Sequence, residues 1–546
     1  MKNIDAKKIE IKELLSRDYF YRVPEYQRPY SWDEEHFQDL IQDLLDAKRD
    51  QEYFLGTIVV HKKDGINDIV DGQQRLTTIL ILLACLRDLI TDDSFKTSIQ
   101  EKIIQKANVV DGIPEKVRIE VKDRSTFGRL VIPKNGTDII KSLDRLPEPE
   151  WRYIKAIETF KERLSKLSQQ ELQKFTKFLS QNCIMIYLST TTFDDAFKLF
   201  TIVNDRGKQL RRIDILKANN ISPTLIKSEG VRNSLAQKWE EAEKSLGGET
   251  FENMLFLLRL ILVGEKPQND LLVEFEDKVF KKNIIAKGAD FIDLVCEYAI
   301  LYLEVFEDYT FFENSPIKNQ LISLIFIMNN EFKSNEWKAP IMLYLKKFHL
   351  ERFEDFVSII ELKFLEGWIN NQTKDSRIVL FGNIIKTLNN SNSPKELFDN
   401  LNINYDKNKM IEELNGDLYT KSYSKYVLSR LELLTTEHDV EKRIKAKSVE
   451  HILPQNPKSD SQWRLDFNEQ NLKEWTNKIS NLVLLSKSKN SSARNYDFAE
   501  KKIKYLQTRV SDYPRSIQVL SHASWTPEVL SERQAKLLSM VLDSLF

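Results

Sequence analysis

Two short stretches near the C-terminal end carry residue types suited to hydrolysing a phosphate ester. The first reads Ser448-Val449-Glu450-His451-Ile452-Leu453-Pro454-Gln455-Asn456. The second reads Ser480-Asn481-Leu482-Val483-Leu484-Leu485-Ser486-Lys487-Ser488-Lys489-Asn490. Such a reaction needs a base to activate water, and imidazole suits the task because it titrates near operating pH. It also needs a hard cation to polarise phosphate, and Mg2+ takes carboxylate, amide and water oxygens. His451 is the candidate base, and Glu450 and Asn490 are ligands of the required kind. Neighbours on a strand point to opposite faces, so Glu450 and His451 converge on one substrate only at a kink or strand end. Pro454 fits a strand that stops there. Alone, His451 reads better as a structural histidine at a strand end. His349, His438 and His522 have no comparable company and read as surface or core residues.

A second constellation lies near the N-terminus. Val23-Pro24-Glu25-Tyr26-Gln27-Arg28-Pro29-Tyr30-Ser31-Trp32 precedes Asp68-Ile69-Val70-Asp71-Gly72-Gln73-Gln74-Arg75. The latter runs from a strand through Asp-Gly into a helix, whose first N–H groups and dipole favour an anion. Gly72 lets backbone approach a ligand. Arg75 can fork onto phosphate, and Asp71 can accept from a sugar or base or hold a cation. A tight turn with an Asp helix cap explains the same residues. Tyr26, Tyr30 and Trp32 either stack on a base or belong to the core, and the core is the better reading for Trp32. There is no Walker A sequence, which excludes a P-loop mechanism.

These residues are positioned by contrasting regions. Between 1 and 220 the pattern is mixed α/β. Asp33–Ala47 has helical spacing, Leu55–His61 and Asn67–Val70 form a hairpin pattern around Lys-Lys-Asp-Gly, Gln73–Ile90 reads as a long apolar helix, and Cys183–Leu188 as a strand. A helix over Ala196–Val203 ends at Asn204-Asp205-Arg206-Gly207. From 221 to 440 amphipathic helical segments recur: Asn253–Leu262, Phe291–Phe306, Ile317–Met328, Met342–Phe348, Phe353–Trp368 and Tyr423–Leu434. This region links and positions the two ends. From 441 to 546 short strands at Ala446–His451 and Leu482–Leu485 lead to helix from Asp497 onward.

Length and composition agree with several domains. A chain of 546 residues exceeds the roughly 250–300 at which single cores stop growing. Hydrophobic residues at 41% and charged residues at 30% describe a globular chain. The net charge of −1 hides an asymmetry, for residues 441–510 hold 15 Lys and Arg against 8 Asp and Glu. Such a patch attracts a polyanion, although a solvated charged face accounts for it too. Cys85, Cys183 and Cys296 lie far apart in apolar runs, with neither zinc nor disulfide spacing. The N-terminus lacks the apolar run of a signal peptide, and no apolar stretch is long enough to span a bilayer. A cytoplasmic protein is expected.

Taken together, the motifs resemble a known family. The acid-His-x-x-Pro strand, then Asn481, Asn490 and a helix, is similar to the HNH ββα-metal fold of RNA-guided DNA nucleases. It is similar as well to the GmrD-type C-terminal domain of modification-dependent restriction enzymes. The resemblance implies Glu450 and Asn490 as ligands of Mg2+ or Mn2+, His451 as base, and Asn481 fixing the loop or orienting His451. The stretch Asn495-Tyr496-Asp497-Phe498-Ala499-Glu500-Lys501-Lys502 resembles the GmrD-type ending, which implies that Lys489, Asn495, Lys501 and Lys502 approach DNA. Ser480 stands where the family usually has Gly, and Glu450 where RNA-guided nucleases use Asp.

The N-terminal motifs resemble the GmrS-type domain, related to the ParB and sulfiredoxin-like fold, in which the Asp-Gly-Gln-Gln-Arg stretch binds and hydrolyses a nucleoside triphosphate. By that resemblance Gln27, Arg28, Asp71, Gly72, Gln73, Gln74 and Arg75 hold nucleotide, with Asp71 and Arg75 acting in its hydrolysis. Asn204 and Lys217 belong to a third matching stretch, though a helix cap and a capped following helix explain them as well. The expected architecture is therefore multidomain α+β. It has a ParB/sulfiredoxin-like domain at 1–220, an all-helical middle at 221–440 and an HNH domain with C-terminal helices at 441–546.

The implied function is nucleotide-regulated cleavage of double-stranded, modified phage DNA by a bacterial restriction enzyme that forms a homo-oligomer and has no membrane partner. The base of the nucleotide is left open. The alternative is a nucleotide-dependent sensor of DNA modification with a weak or silent nuclease.

Overall fold

The computed structural model describes residues 4–545 apart from 25, 26, 28, 64, 111, 139–147, 192–194, 197, 198, 200–210, 223, 403, 446, 447, 486–494 and 504–512. The chain divides into two compact units, Met1–Ala236 and Gln237–Phe546. It is mixed α/β and multidomain, as its sequence patterns require. Among the described residues no helix is long and apolar enough to cross a membrane.

The first unit is built on a six-stranded mixed sheet. Its strands are β1 (Asp5–Glu10), β2 (Tyr21–Arg22), β3 (Tyr53–Lys63), β4 (Ile66–Asp71), β7 (Ile119–Glu120) and β8 (Cys183–Thr190). A separate two-stranded ribbon pairs β5 (Ile104–Gln105) with β6 (Lys116–Val117). The order across the main sheet is β1-β8-β3-β4-β2-β7. The expected hairpin is present as antiparallel β3 and β4, and β8 runs parallel to β3. The helix Gln73–Leu89 follows β4 directly and is buried without a break from Leu76 to Arg87. That explains why its sequence is apolar all round, with no polar stripe. The helix Glu34–Asp46 buries Phe37, Ile41 and Leu44, the face its spacing marks out. The expected helix end at Asn204–Gly207 lies outside the described residues.

In the second unit every segment read as amphipathic is helical: Gly248–Val263, Ala289–Phe306, Lys318–Glu331, Lys338–Phe348, Phe353–Ile369 and Ser424–Leu434. These helices share one compact unit with the C-terminal segment. Inside the helical part Glu361 is fully buried and accepts from Tyr426 Oη at 2.5 Å and from Arg430 Nε at 2.8 Å. The C-terminal segment is a small antiparallel ribbon, β9 (Ser448–His451) with β10 (Leu482–Leu485), pairing His451 with Leu482 and Glu450 with Val483. Ile452, Leu453, Trp463, Val483 and Trp525 form the core beneath it. The long helix Pro527–Leu545 closes the chain.

Candidate active site

His451 is the last residue of β9, where the strand's alternation ends. Its side chain is held from outside the strand pair. His451 Nε2 lies 3.0 Å from Asn477 Oδ1, and Asn477 Nδ2 donates to Asp417 Oδ2 at 2.9 Å. A carboxylate only accepts, so it fixes which end of the amide faces it. Asn477 therefore turns its oxygen to the imidazole, and Gln455 Nε2 donates to that same oxygen at 3.4 Å. It follows that Nε2 carries the hydrogen and that Nδ1 keeps the lone pair a base needs. The Asn477 carbonyl accepts from the backbone N–H groups of Leu418 and Tyr419 at 3.0 and 3.2 Å. The Tyr419 ring covers the imidazole at 4.1 Å between centroids.

Burial pushes the His451 pKa below the ordinary 6.5, and the Lys501 ammonium adds to the push, while Asn477 and Asp417 draw it back. The imidazole is therefore neutral at neutral pH, the form a general base requires.

Asn481 is fully buried and makes four hydrogen bonds. Its Oδ1 accepts from Leu453 N at 2.7 Å and Trp525 Nε1 at 3.1 Å, and its Nδ2 donates to the Leu453 and Thr476 carbonyls at 2.9 and 2.7 Å. It fixes the loop after His451 and leaves the orientation of the imidazole to Asn477. Ser480, beside it, is also fully buried, and its hydroxyl has no partner among the described residues. That is the local cost of a side chain where Gly would leave none.

Glu450 and Lys501 form a buried pair at 3.1 Å, and Lys501 Nζ also donates to the His451 carbonyl at 2.6 Å. Lys501 is only 1% exposed. Its ammonium faces the ribbon and not the solvent, which departs from the expected approach to DNA. Burial lowers its pKa, opposed by Glu450. Lys502 Nζ donates to the His522 carbonyl at 2.8 Å, and Asn495 Nδ2 to the Asn456 carbonyl at 2.6 Å. Both side chains thus brace the local backbone. Lys489 and Asn490 lie outside the described residues.

No group of three or more His, Cys, Asp or Glu able to hold a metal occurs among the described residues. Glu450 supplies the hard oxygen a divalent ion requires, and the Lys501 ammonium already places positive charge beside it. A divalent ion at Glu450 would take the place that this ammonium now fills.

The N-terminal site is made differently. Asp71 ends β4, Gly72 adopts φ +91°, and the helix begins at Gln73. A Cβ on Gly72 would stand 3.0 Å from the Thr57 carbonyl oxygen, so the turn runs against β3. Gly56, at φ +102° inside β3, makes room for Arg75, since a Cβ there would come within 2.5 Å of Arg75 Nη1. The β3–β8 register shifts between Phe54 and Thr57, around this glycine. Burial lowers the Arg75 pKa, and Asp71 and then Tyr53 act against it.

Gln27 Nε2 donates to the Val70 carbonyl at 2.7 Å, and Gln74 accepts from Ser31 N at 2.7 Å and donates to the Pro29 carbonyl at 3.1 Å. These bonds tie Gln27, Pro29 and Ser31 to the β4–helix junction. Gln73 is buried. Tyr30 belongs to the core and meets Thr78 Oγ1 at 2.6 Å, and Trp32 is partly buried and stacks on His36. Lys217 is buried on the helix Arg212–Asn220, where Asp214 pairs with Arg211 at 2.9 Å. Tyr26, Arg28 and Asn204 lie outside the described residues.

Sequence reasoning missed Asp417, Tyr419, Asn477 and Gly56. The first three lie far from the Glu-His pair in the chain and belong to no motif. For Gly56 the available signal was a glycine inside a β-branched strand, which marks a bulge or a close approach.

Residues 11–221 match the N-terminal domain of the GmrSD restriction endonucleases, and residues 404–540 match the C-terminal domain of the same enzymes. The chain belongs to the GmrSD restriction endonuclease family, and it is a nuclease whose substrate is DNA. The second match begins upstream of Asp417, so it takes in the residues that hold His451. A search of curated proteins finds no match.

Proposed function

We propose that the chain is an HNH-type, divalent-metal-dependent endonuclease of a bacterial anti-phage restriction system, regulated by a nucleoside triphosphate that its N-terminal unit hydrolyses. Modified foreign DNA is its target. The observation that carries this reading is the His451–Asn477–Asp417 chain, which leaves Nδ1 as the accepting nitrogen of a neutral imidazole. His451 takes the proton from water as it attacks phosphorus. Glu450 and Asn490 would hold a Mg2+ or Mn2+ ion, which would supply stabilisation of the leaving oxygen. Asn481 sets the loop that follows the base. At the other end Asp71, Gly72 and Arg75 present an anion-accepting turn, braced by Gln27 and Gln74.

The test is plasmid nicking with Mg2+ or Mn2+. His451→Ala is expected to lose on the order of 10²–10⁴-fold in rate, the usual contribution of a general base. Equal rates in both proteins would remove His451 from the mechanism.

A second reading, a nucleotide-dependent sensor or interaction protein with a weak or silent nuclease, draws on the Lys501 ammonium seated at Glu450. Multiple-turnover nicking by the wild type, lost in His451→Ala, rejects it.

A further inference from the structure

A cavity of about 490 Å³ opens between the end of the helix Ser424–Leu434, the turn at Val519–Ser521 and the helix Pro527–Leu545. Its wall carries His522, Arg533 and Lys536 against one carboxylate, Glu532, with Val529 and Leu537 as apolar surface. Behind the wall the charges do not balance. Arg533 is 8% exposed, and Arg515 and Glu432 are fully buried, so two guanidiniums share one carboxylate.

The hydrogen bonds leave donors over. Glu432 Oε2 accepts from the backbone N–H of Arg515 at 2.8 Å, Arg515 Nη2 donates to the Leu482 carbonyl at 3.2 Å, and Arg533 Nε donates to the Ser480 carbonyl at 2.9 Å. Arg533 Nη2, Arg515 Nε and Arg515 Nη1 have no acceptor among the described residues. Buried guanidiniums are ordinarily paired with an anion. Burial, with Arg515 adding to it, pushes the Arg533 pKa down to about 9. An oxyanion in the cavity would reverse that push.

We infer that this cavity is a binding site for a phosphoryl group, with Arg533 and Lys536 as its cationic wall and His522 beside them as a neutral hydrogen-bonding group. Guanidinium and ammonium groups on one cavity wall are a recurring recognition set for phosphate oxygens. The volume lies in the range of small-molecule sites, roughly 300–1,000 Å³, and exceeds what phosphate alone fills. Val529 and Leu537 offer surface to the rest of the ligand. The site is also tied to the nuclease ribbon. Arg533 holds the Ser480 carbonyl, and the next residue, Asn481, holds the loop after His451. A phosphoryl group drawn to Arg533 therefore bears on the backbone that carries the base. The phosphate comes either from a free phosphorylated ligand or from the DNA backbone.

Calorimetric titration of the full chain with inorganic pyrophosphate tests the site, in a His451→Ala background that keeps the result independent of cleavage. A binding event is expected that Lys536→Glu weakens about tenfold or more. Lys536 is exposed, so the melting temperature should hold. Arg75→Ala, in the other unit, should leave this event in place. No binding, binding that Lys536→Glu leaves intact, or binding that Arg75→Ala abolishes overturns the site. Competition with a short DNA duplex then separates the sources. Displacement of pyrophosphate assigns the pocket to backbone phosphate, and simultaneous binding assigns it to a free ligand.

Discussion

The turn at Asp71–Arg75 and the ribbon at His451 reach their shapes by opposite routes. The first is contiguous in sequence, and glycines make it possible: Gly72 lets the chain pass β3, and Gly56 clears space for the Arg75 guanidinium. The second is assembled from Asp417, Glu450, His451, Asn477, Asn481 and Lys501, joined by side-chain hydrogen bonds. A contiguous site fails when a side chain fills space that must stay empty. An assembled site fails when one hydrogen-bonding partner is taken away. The two ends of the chain should therefore respond differently to substitution, and the assembled end should show the larger effects.

The largest effect expected is at the buried pair. Lys501→Met leaves the Glu450 carboxylate buried without its ammonium, which costs about 3–5 kcal/mol, measured by urea unfolding. Glu450→Gln on top of it should return most of the loss. If the single and double variants unfold alike, the pair is not what holds the ribbon. Next comes Asn481→Ala. It strands two buried donors and two buried acceptors, so a loss of about 3 kcal/mol is expected, with a matching fall in melting temperature. A loss under about 1 kcal/mol would mean that water replaces the amide, and the loop would not depend on it.

Legibility followed the same division. The hairpin, the long apolar helix and the amphipathic helices of the second unit were readable because periodicity is a local signal. Glu450, His451, Asp71 and Arg75 could be singled out as candidates because each lies inside a short motif. Asn477 and Asp417 were not, because nothing in spacing says that a loop before Ser424–Leu434 meets a residue near β10. Lys501 was read as a DNA contact because the stretch Asn495–Lys502 resembles the GmrD-type ending. Its burial depends on a carboxylate that only the folded ribbon brings near. Gln27 and Gln74 were read as nucleotide ligands, and their side chains also hydrogen-bond to backbone carbonyls and an N–H group. A motif names the residues that converge but not which of them serve as scaffold.

At the contiguous end the sharper test is Gly56→Ala. The added methyl meets Arg75 Nη1 at 2.5 Å, and φ +102° disfavours any side chain. Expected is a loss of about 1–3 kcal/mol from backbone strain, with weaker nucleotide binding because Arg75 must move. Gly128→Ala is the control, since nothing lies within 4 Å of a Cβ there. Comparable losses in both would show that clearance is not what Gly56 provides.

The smallest effect separates positioning from folding at the assembled end. Asn477→Ala removes the acceptor on His451 Nε2 without touching β9 or β10, so a loss of about tenfold in nicking is expected, one lost hydrogen bond's worth of orientation. The pH profile carries the sign. Neutral His451 is the working form, so activity falls as pH drops through its depressed pKa. Asn477 is one of the influences holding that pKa up, and Asp417 is another. Removing Asn477 should therefore move the acidic limb to lower pH even as the plateau falls. Asp417→Asn should move it the same way by less, with a loss of only a few-fold, because the amide of Asn477 is then free to turn. A structural role alone predicts lower activity with the limb unmoved. A limb that moves to higher pH in either variant would mean that the imidazole is not held through Nε2, and Nδ1 would lose its claim as the base.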